Sequence, residues 1–190
     1  MLKKDIRKKY IEKRRSLTSS DLATLNDLLF IRFQQARLPF IEVLHRYLPA
    51  AGRNEPMTDA IAAWLGCMNP GMIELIPKAD ASGNVLSSFA YDENTILETN
   101  FWGIPEPVGG VPFDASRIDL VLVPLLAFDD RGYRVGYGKG YYDRFLATCR
   151  KDCIKVGLSF FGPAENIDDI NEYDIPLNLC ITPDRIHEFE

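Results

Sequence analysis

Between Val135 and Phe145 the chain reads VGYGKGYYDRF, in which Gly136, Gly138 and Gly140 alternate with Tyr137 and Lys139 before Tyr141, Tyr142 and Asp143. Arg134 stands immediately before this run. Glycine lets a backbone approach a ligand closely, and successive N–H groups in such a loop form a concavity that suits an anion. Arg134 and Lys139 add full positive charges that can neutralise phosphate oxygens. Asp143 cannot serve phosphate itself; an acid beside phosphates points to a bridging divalent cation. The chemistry implied is capture of a phosphorylated ligand, with a tight structural turn as the plain alternative.

Two nucleotide fingerprints fail here. A Walker A loop counted from Gly132 reaches Tyr137 where Gly is required, and Lys139 is followed by Gly140 rather than Ser or Thr. The dinucleotide pattern Gly-x-Gly-x-x-Gly starting at Gly136 ends on Tyr141.

The elements around the loop give it a place. DLVLVPLLAF, then DDRGYRVGYGKG, then YYDRFLATC read as strand, loop and helix. Ligands of open parallel sheets bind beyond the carboxyl ends of strands, and a following helix presents unpaired N–H groups there. The unbroken apolar run IDLVLVPLLAF suits a strand covered on both faces. Upstream, KKDIRKKYIEKRR predicts a helix with Ile6 and Tyr10 on a thin apolar face. LTSSDLATLNDLLFIRFQQA predicts a second helix, with Thr18 as N-cap, Asp21 three residues on, and Leu22, Leu25, Leu28, Leu29 and Phe33 at helical spacing. IEVLHRYL reads as a buried strand, Pro49 to Pro56 as a loop, and TDAIAAWLGCM as a helix capped by Thr58. MIELIP is a strand, NVLSSFAY a more polar strand near an edge, FWGIPEPVGGVPF a long structured loop, and IKVGLSFF and LCIT are final strands. Strands alternating with helices predict one α/β domain over residues 1–190. It has three layers, a mostly parallel sheet with helices on both faces, and a nucleotide site at the strand–glycine loop–helix junction.

Composition narrows the classes. The 190 residues are 46% hydrophobic and 26% charged, ordinary globular values, and the net charge is -5. That charge argues against general nucleic-acid binding, although the first helix carries eight Lys or Arg against two acids. Neither an apolar run long enough to span a membrane nor an apolar stretch behind the N-terminal charges is present in the sequence, so a cytoplasmic protein is expected. Cys67, Cys149, Cys153 and Cys180 form no CxxC pair and read as reduced thiols. His45 and His187 read as structural.

VPLLAFDDRGYRVGYGKGYYDRFL resembles the signature of the 5-formyltetrahydrofolate cyclo-ligase family, a hydrophobic strand, Pro, Phe-Asp, then Gly-x-Arg-hydrophobic-Gly-x-Gly-x-Gly-Tyr-Tyr-Asp. The basic start, YLPAAGRNEPMT and FWGIPEP are similar to the family in the same order, so the likeness spans nearly the whole chain. It implies ATP and Mg²⁺-dependent conversion of 5-formyltetrahydrofolate to 5,10-methenyltetrahydrofolate, with small-molecule substrates. A monomer without nucleic-acid or membrane partners is expected.

Carried over by the resemblance, Lys3, Lys4, Asp5, Ile6 and Arg7 of the first helix belong to the ATP site. Lys3 and Arg7, at i and i+4, are its phosphate-reaching pair. Arg134, Val135, Gly136, Tyr137, Gly138, Lys139, Gly140, Tyr141 and Tyr142 correspond to the triphosphate-cradling loop, with Arg134 and Lys139 as the catalytic cations. Asp143 matches a magnesium ligand; Asp174 and Asn178 are the two alternatives for a second. Leu48 and Glu55 match folate contacts, and Trp102 and Tyr142 offer flat walls for its rings. Leu125 departs from the family, many members of which carry Gly after the proline. Two readings without turnover stand beside this one, a nucleotide-binding regulator and an RNA-binding module led by the basic helix. The latter expects aromatics interleaved with basic residues on an exposed sheet.

Overall fold

Leu120–Val123 (β6) lies at the centre of a seven-stranded sheet, and all four of its residues are buried. Its alternate side chains divide between two cores. Leu120 and Leu122 face α2 (Ser19–Phe33) and α3 (Asp59–Met68), while Val121 and Val123 face α4 (Tyr141–Leu146) through Phe145 and Leu146. An unbroken apolar strand is what two covered faces require. The computed structural model describes residues 1–80 and 85–189.

Five strands run parallel in the order β10 (Leu179–Ile181), β9 (Ile154–Leu158), β6, β1 (Val43–His45) and β2 (Ile73–Ala79). Each edge is closed by an antiparallel strand, β3 (Leu86–Ala90) on β2 and β11 (Ile186–Glu188) on β10. The expected polar edge strand is therefore β3, although Asn84 of its predicted span lies outside the described residues. From β1 the sheet grows to β2 on one side and to β6 on the other, so the strand order reverses between β1 and β6. The crevice at the carboxyl ends of such a pair is where open α/β sheets take ligands.

Local signals act where they were expected at α2. Thr18 accepts from the Asp21 N–H and Asp21 returns the bond to the Thr18 N–H, a complete capping box. At α3 the expectation fails. The Thr58 hydroxyl donates to the Tyr47 carbonyl at 2.8 Å and accepts from Arg46, so it ties the segment after β1 instead of capping the helix.

Several short strands escaped prediction because each has only two or three residues. The stretch 97–107 holds a ribbon of β4 (Leu97–Thr99) and β5 (Pro105–Pro107). The loop after β6 contains a hairpin of β7 (Ala127–Phe128) and β8 (Arg134–Val135). Asp129, fully buried, shapes that hairpin by accepting from the N–H groups of Arg131, Tyr133 and Ile167. The first helix, α1 (Lys3–Arg15), packs on the hairpin through Ile6 and Tyr10 against Leu126, Ala127 and Val135. Leu125 is accommodated by Gly157 of β9, where an added Cβ would lie 2.5 Å from Leu125 Cδ2 and 2.7 Å from Leu177 Cδ1.

Candidate active site

A cleft of about 970 Å³ opens at the carboxyl ends of β1 and β6, where the strand order reverses. It brings together Lys3 and Arg7 of α1, Leu48 and Glu55 after β1, Trp102, Arg134, the run Gly136–Asp143, and Asp174. These residues come from five separate stretches of sequence, and each had been singled out on its type and spacing or its family match.

The glycine loop is held open from α1. Arg7 Nε donates to the Gly136 carbonyl at 2.9 Å, and its guanidinium lies against the Cα of Gly138. Gly138 has φ +90 and Gly140 φ +67, left-handed conformations that a side chain resists. A Cβ on Gly138 would sit 3.1 Å from the Arg7 guanidinium, so a side chain there would press on that contact as well as strain the turn. Lys139 lies between these two glycines on the exposed lip, and Arg144 Nη2 donates to its carbonyl at 3.1 Å.

Below the loop, acids and cations interleave. Arg134 is buried and donates from Nη2 to Asp143 Oδ1 at 2.8 Å and from Nη1 to the Ile175 carbonyl. Burial pulls its guanidinium below the ordinary value, while the charges of Asp143 and Asp174 oppose that shift. Lys3 Nζ meets Asp174 Oδ2 at 2.5 Å, and the same oxygen accepts from the Asn171 N–H at 2.8 Å. Asp143 and Asp174 thus set hard carboxylate oxygens, the donor type a Mg²⁺ ion takes, beside Arg134 and Lys3. Among the described residues, no group of three or more His, Cys, Asp or Glu side chains is placed to hold a metal alone.

Across the cleft, Glu55 is buried with only 8% of its surface exposed and accepts the Ala50 N–H at 2.8 Å. Tyr47, Tyr137 and Tyr142 surround it, and burial with the Glu55 charge pushes all three phenols up. Tyr142 also meets His45, whose Nε2 is 3.4 Å from the phenol and whose Nδ1 is 2.9 Å from Ser88 Oγ. Full burial holds the His45 pKa down at about 3. Trp102, 41% exposed, stands at the rim with its carbonyl accepting from Arg53 at 3.1 Å.

Not every expected residue reaches the cleft. Ile6 and Val135 are buried in the core between α1 and the β7–β8 hairpin, and Lys4 and Asp5 lie outside the lining. Asn178 also lies outside the lining. Its carboxamide oxygen accepts from the Lys155 N–H at 2.9 Å and its own N–H returns a bond to the Lys155 carbonyl, so it ties β9 to the start of β10 outside the cleft. Of the two alternatives for a second metal-binding acid, Asp174 alone lines the site. α4 ends at Leu146, short of the span to Cys149 expected from the sequence. Arg14, one of eight basic residues in α1, was not marked by type or spacing, yet it is buried at 2% exposure.

Fold and site define an α/β protein with a mostly parallel sheet and a cleft at its strand-order reversal, lined by both charged and apolar side chains. A sequence model of the 5-formyltetrahydrofolate cyclo-ligase family matches residues 2–183, and the chain belongs to that family. The 5-formyltetrahydrofolate cyclo-ligase of Mycoplasma genitalium is 42% identical over 66 residues, 34% of this chain and 40% of that protein. Its Escherichia coli K12 counterpart is 36% identical over 112 residues, 57% of this chain and 61% of that protein. The matched segments thus span about half the length of these curated relatives. Among solved structures, the 5,10-methenyltetrahydrofolate synthetase of Aquifex aeolicus superposes with a TM-score of 0.72 at 26% identity, covering 100% of this chain and 94% of that one. The Mycoplasma pneumoniae synthetase gives 0.71 at 23% identity, covering 95% and 98%, and supports the fold. No helix among the described residues is long and apolar enough to cross a membrane.

Proposed function

We propose that this chain catalyses the ATP-dependent cyclisation of 5-formyltetrahydrofolate to 5,10-methenyltetrahydrofolate, releasing ADP and phosphate. The observation that carries this reading is the single cleft in which Glu55 and Trp102 face Arg134, the glycine loop and Asp143. Family membership and the activities for which its relatives are named support it.

The chemical problem is a formyl oxygen that leaves poorly. In the proposed reaction that oxygen attacks the γ-phosphorus and the bond to ADP breaks. N10 then attacks the formyl carbon and loses its proton to solvent. Closure of the second ring breaks the C–O bond, and phosphate departs with the former formyl oxygen. Phosphoryl transfer asks a protein mainly for orientation and charge neutralisation, which matches a site rich in donors and without a nucleophile. The loop N–H groups at 136–140, Lys139, Lys3 and Arg7 hold the phosphates. Arg134 is the buried cation beside them, and Asp143 and Asp174 are the acids that would hold Mg²⁺. When bound, that ion neutralises charge on the phosphate oxygens. Glu55 accepts from the N–H edge of the pterin, and Leu48, Trp102 and Tyr142 flank its rings. The four free cysteines support a reducing, cytoplasmic setting.

The test is formation of the methenyl product, followed by its near-ultraviolet absorbance. It is expected from 5-formyltetrahydrofolate only when ATP and Mg²⁺ are both present. No product under those conditions, or equal product without ATP, would overturn the reading.

A further inference from the structure

Tyr137 sits in the middle of the glycine loop, yet its phenol points away from a purely phosphate-binding role. Arg14 Nη1 donates to the Tyr137 hydroxyl at 3.2 Å, and that hydroxyl in turn donates to the Glu55 carboxylate. We propose that Arg14 and Tyr137 are positioning residues that fix the Glu55 carboxylate, so that the loop taken to hold ATP also orients the acid taken to hold folate. The inference rests on the folate role of Glu55 proposed above.

Four further contacts converge on the same link. Arg14 Nη2 donates to the Leu125 carbonyl just beyond β6, anchoring the guanidinium to the sheet. The Arg14 carbonyl accepts from Asn54 Nδ2 at 2.8 Å, and Asn54, the residue before Glu55, is held with φ 49, a left-handed backbone. On its far side, Glu55 takes the Ala50 N–H, so the carboxylate is gripped from two directions. Arg53 lies 4.6 Å from the centre of the Tyr137 ring, and the ring packs against the α1–hairpin core.

A buried arginine in a purely stabilising part would be expected to meet a carboxylate directly. Arg14 instead directs its fork at a phenol and a carbonyl, each belonging to a segment that borders the cleft. Lysine has one nitrogen and cannot reproduce both bonds with the same geometry. Burial and the Glu55 charge keep the Tyr137 phenol protonated, while Arg14 pulls the other way; the hydroxyl therefore stays a donor to Glu55. The chain of contacts makes nucleotide loop and folate loop one mechanical unit.

Tyr137→Phe keeps the ring and deletes the link, and Arg14→Lys keeps the charge and deletes the fork. With purified full-length protein, steady-state KM is measured for 5-formyltetrahydrofolate and for ATP, alongside thermal melting. Each variant is expected to raise the folate KM about tenfold, the usual scale for a lost charge-assisted hydrogen bond, with ATP KM changed less than about twofold. The double variant is expected to be no worse than the poorer single one, because both break one chain. Unchanged folate KM, equal rises in both constants, or additive losses overturn the inference. If Arg14→Lys does not fold, Tyr137→Phe alone decides. Wild-type protein without turnover would instead overturn the proposed reaction, and this inference with it.

Discussion

Arg134 Nη2 donates to Asp143 Oδ1 at 2.8 Å, joining the start of the glycine loop to the first turn of α4. The guanidinium side chain is 5% exposed and the carboxylate side chain 28%, so the pair faces the cleft from one side only. The same Oδ1 also accepts from the Ile175 N–H at 3.3 Å. This carboxylate thus fixes the cation and is also one of the two acids proposed above to hold Mg²⁺.

Asp143→Asn separates those two duties. The amide retains an oxygen acceptor but removes the charge, so the Mg²⁺ concentration for half-maximal activity is expected to rise about tenfold or more, and excess Mg²⁺ to recover part of the rate. Stability falls by about 1–2 kcal/mol, less than for a fully enclosed ion pair because the carboxylate meets solvent. An unaltered Mg²⁺ dependence removes Asp143 from the metal site.

Lys139→Ala removes a cation from an exposed lip. Turnover is expected to fall at least about tenfold with weaker ATP binding, and unfolding free energy to stay within about 0.5 kcal/mol of wild type. Full activity discredits the assignment of the loop to phosphate. Calorimetric titration with a non-hydrolysable ATP analogue checks the binding half.

Gly138→Ala and Gly136→Ala are a matched comparison. At Gly138 the new methyl meets the Arg7 guanidinium at 3.1 Å with φ +90, whereas at Gly136 nothing lies within 4 Å of the added Cβ. The first carries a left-handed backbone penalty of about 1–2 kcal/mol and displaces Arg7, so ATP KM is expected to rise about tenfold. The second is expected to cost less than about threefold. Equal effects contradict the role given to Arg7.

His45 sets a pH dependence of stability. The folded imidazole is held at about 3 by burial, against an ordinary value of 6.5. Protons therefore bind the unfolded chain and not the folded one. Stability is full above the unfolded value and declines as pH falls through the window from 6.5 to 3. At pH 5 the loss is about 2 kcal/mol from this group, at 1.36 kcal/mol per pH unit. Denaturant titrations at pH 7.5 and 5 are expected to show that loss in wild type and its absence in His45→Gln. An equal decline in both proteins contradicts it.

What could be read in advance followed local rules. The capping box of Thr18 and Asp21, the two-sided burial of β6, and the i, i+4 reach of Lys3 and Arg7 each depend on residues close in sequence. Arg14 was invisible because its burial depends on Leu125 and Tyr137, 111 and 123 residues away. Among eight basic residues of one helix, nothing local marks the one that turns inward. Thr58 carried a correct cap signal, but the Tyr47 carbonyl and Arg46 took its hydroxyl. Asn178 matched a family metal position in sequence, while in the fold the Lys155 backbone engages its carboxamide. β4, β5, β7 and β8 are two or three residues long, below the span over which alternation can be recognised.

The transfer of the formyl oxygen to phosphorus is the step for which the cleft is read as built. The direct measurement uses 5-formyltetrahydrofolate carrying ¹⁸O in the formyl group, with ATP and Mg²⁺, and mass analysis of the phosphate released. One ¹⁸O atom in each phosphate is the predicted result; phosphate with oxygen from ATP and water alone contradicts the account.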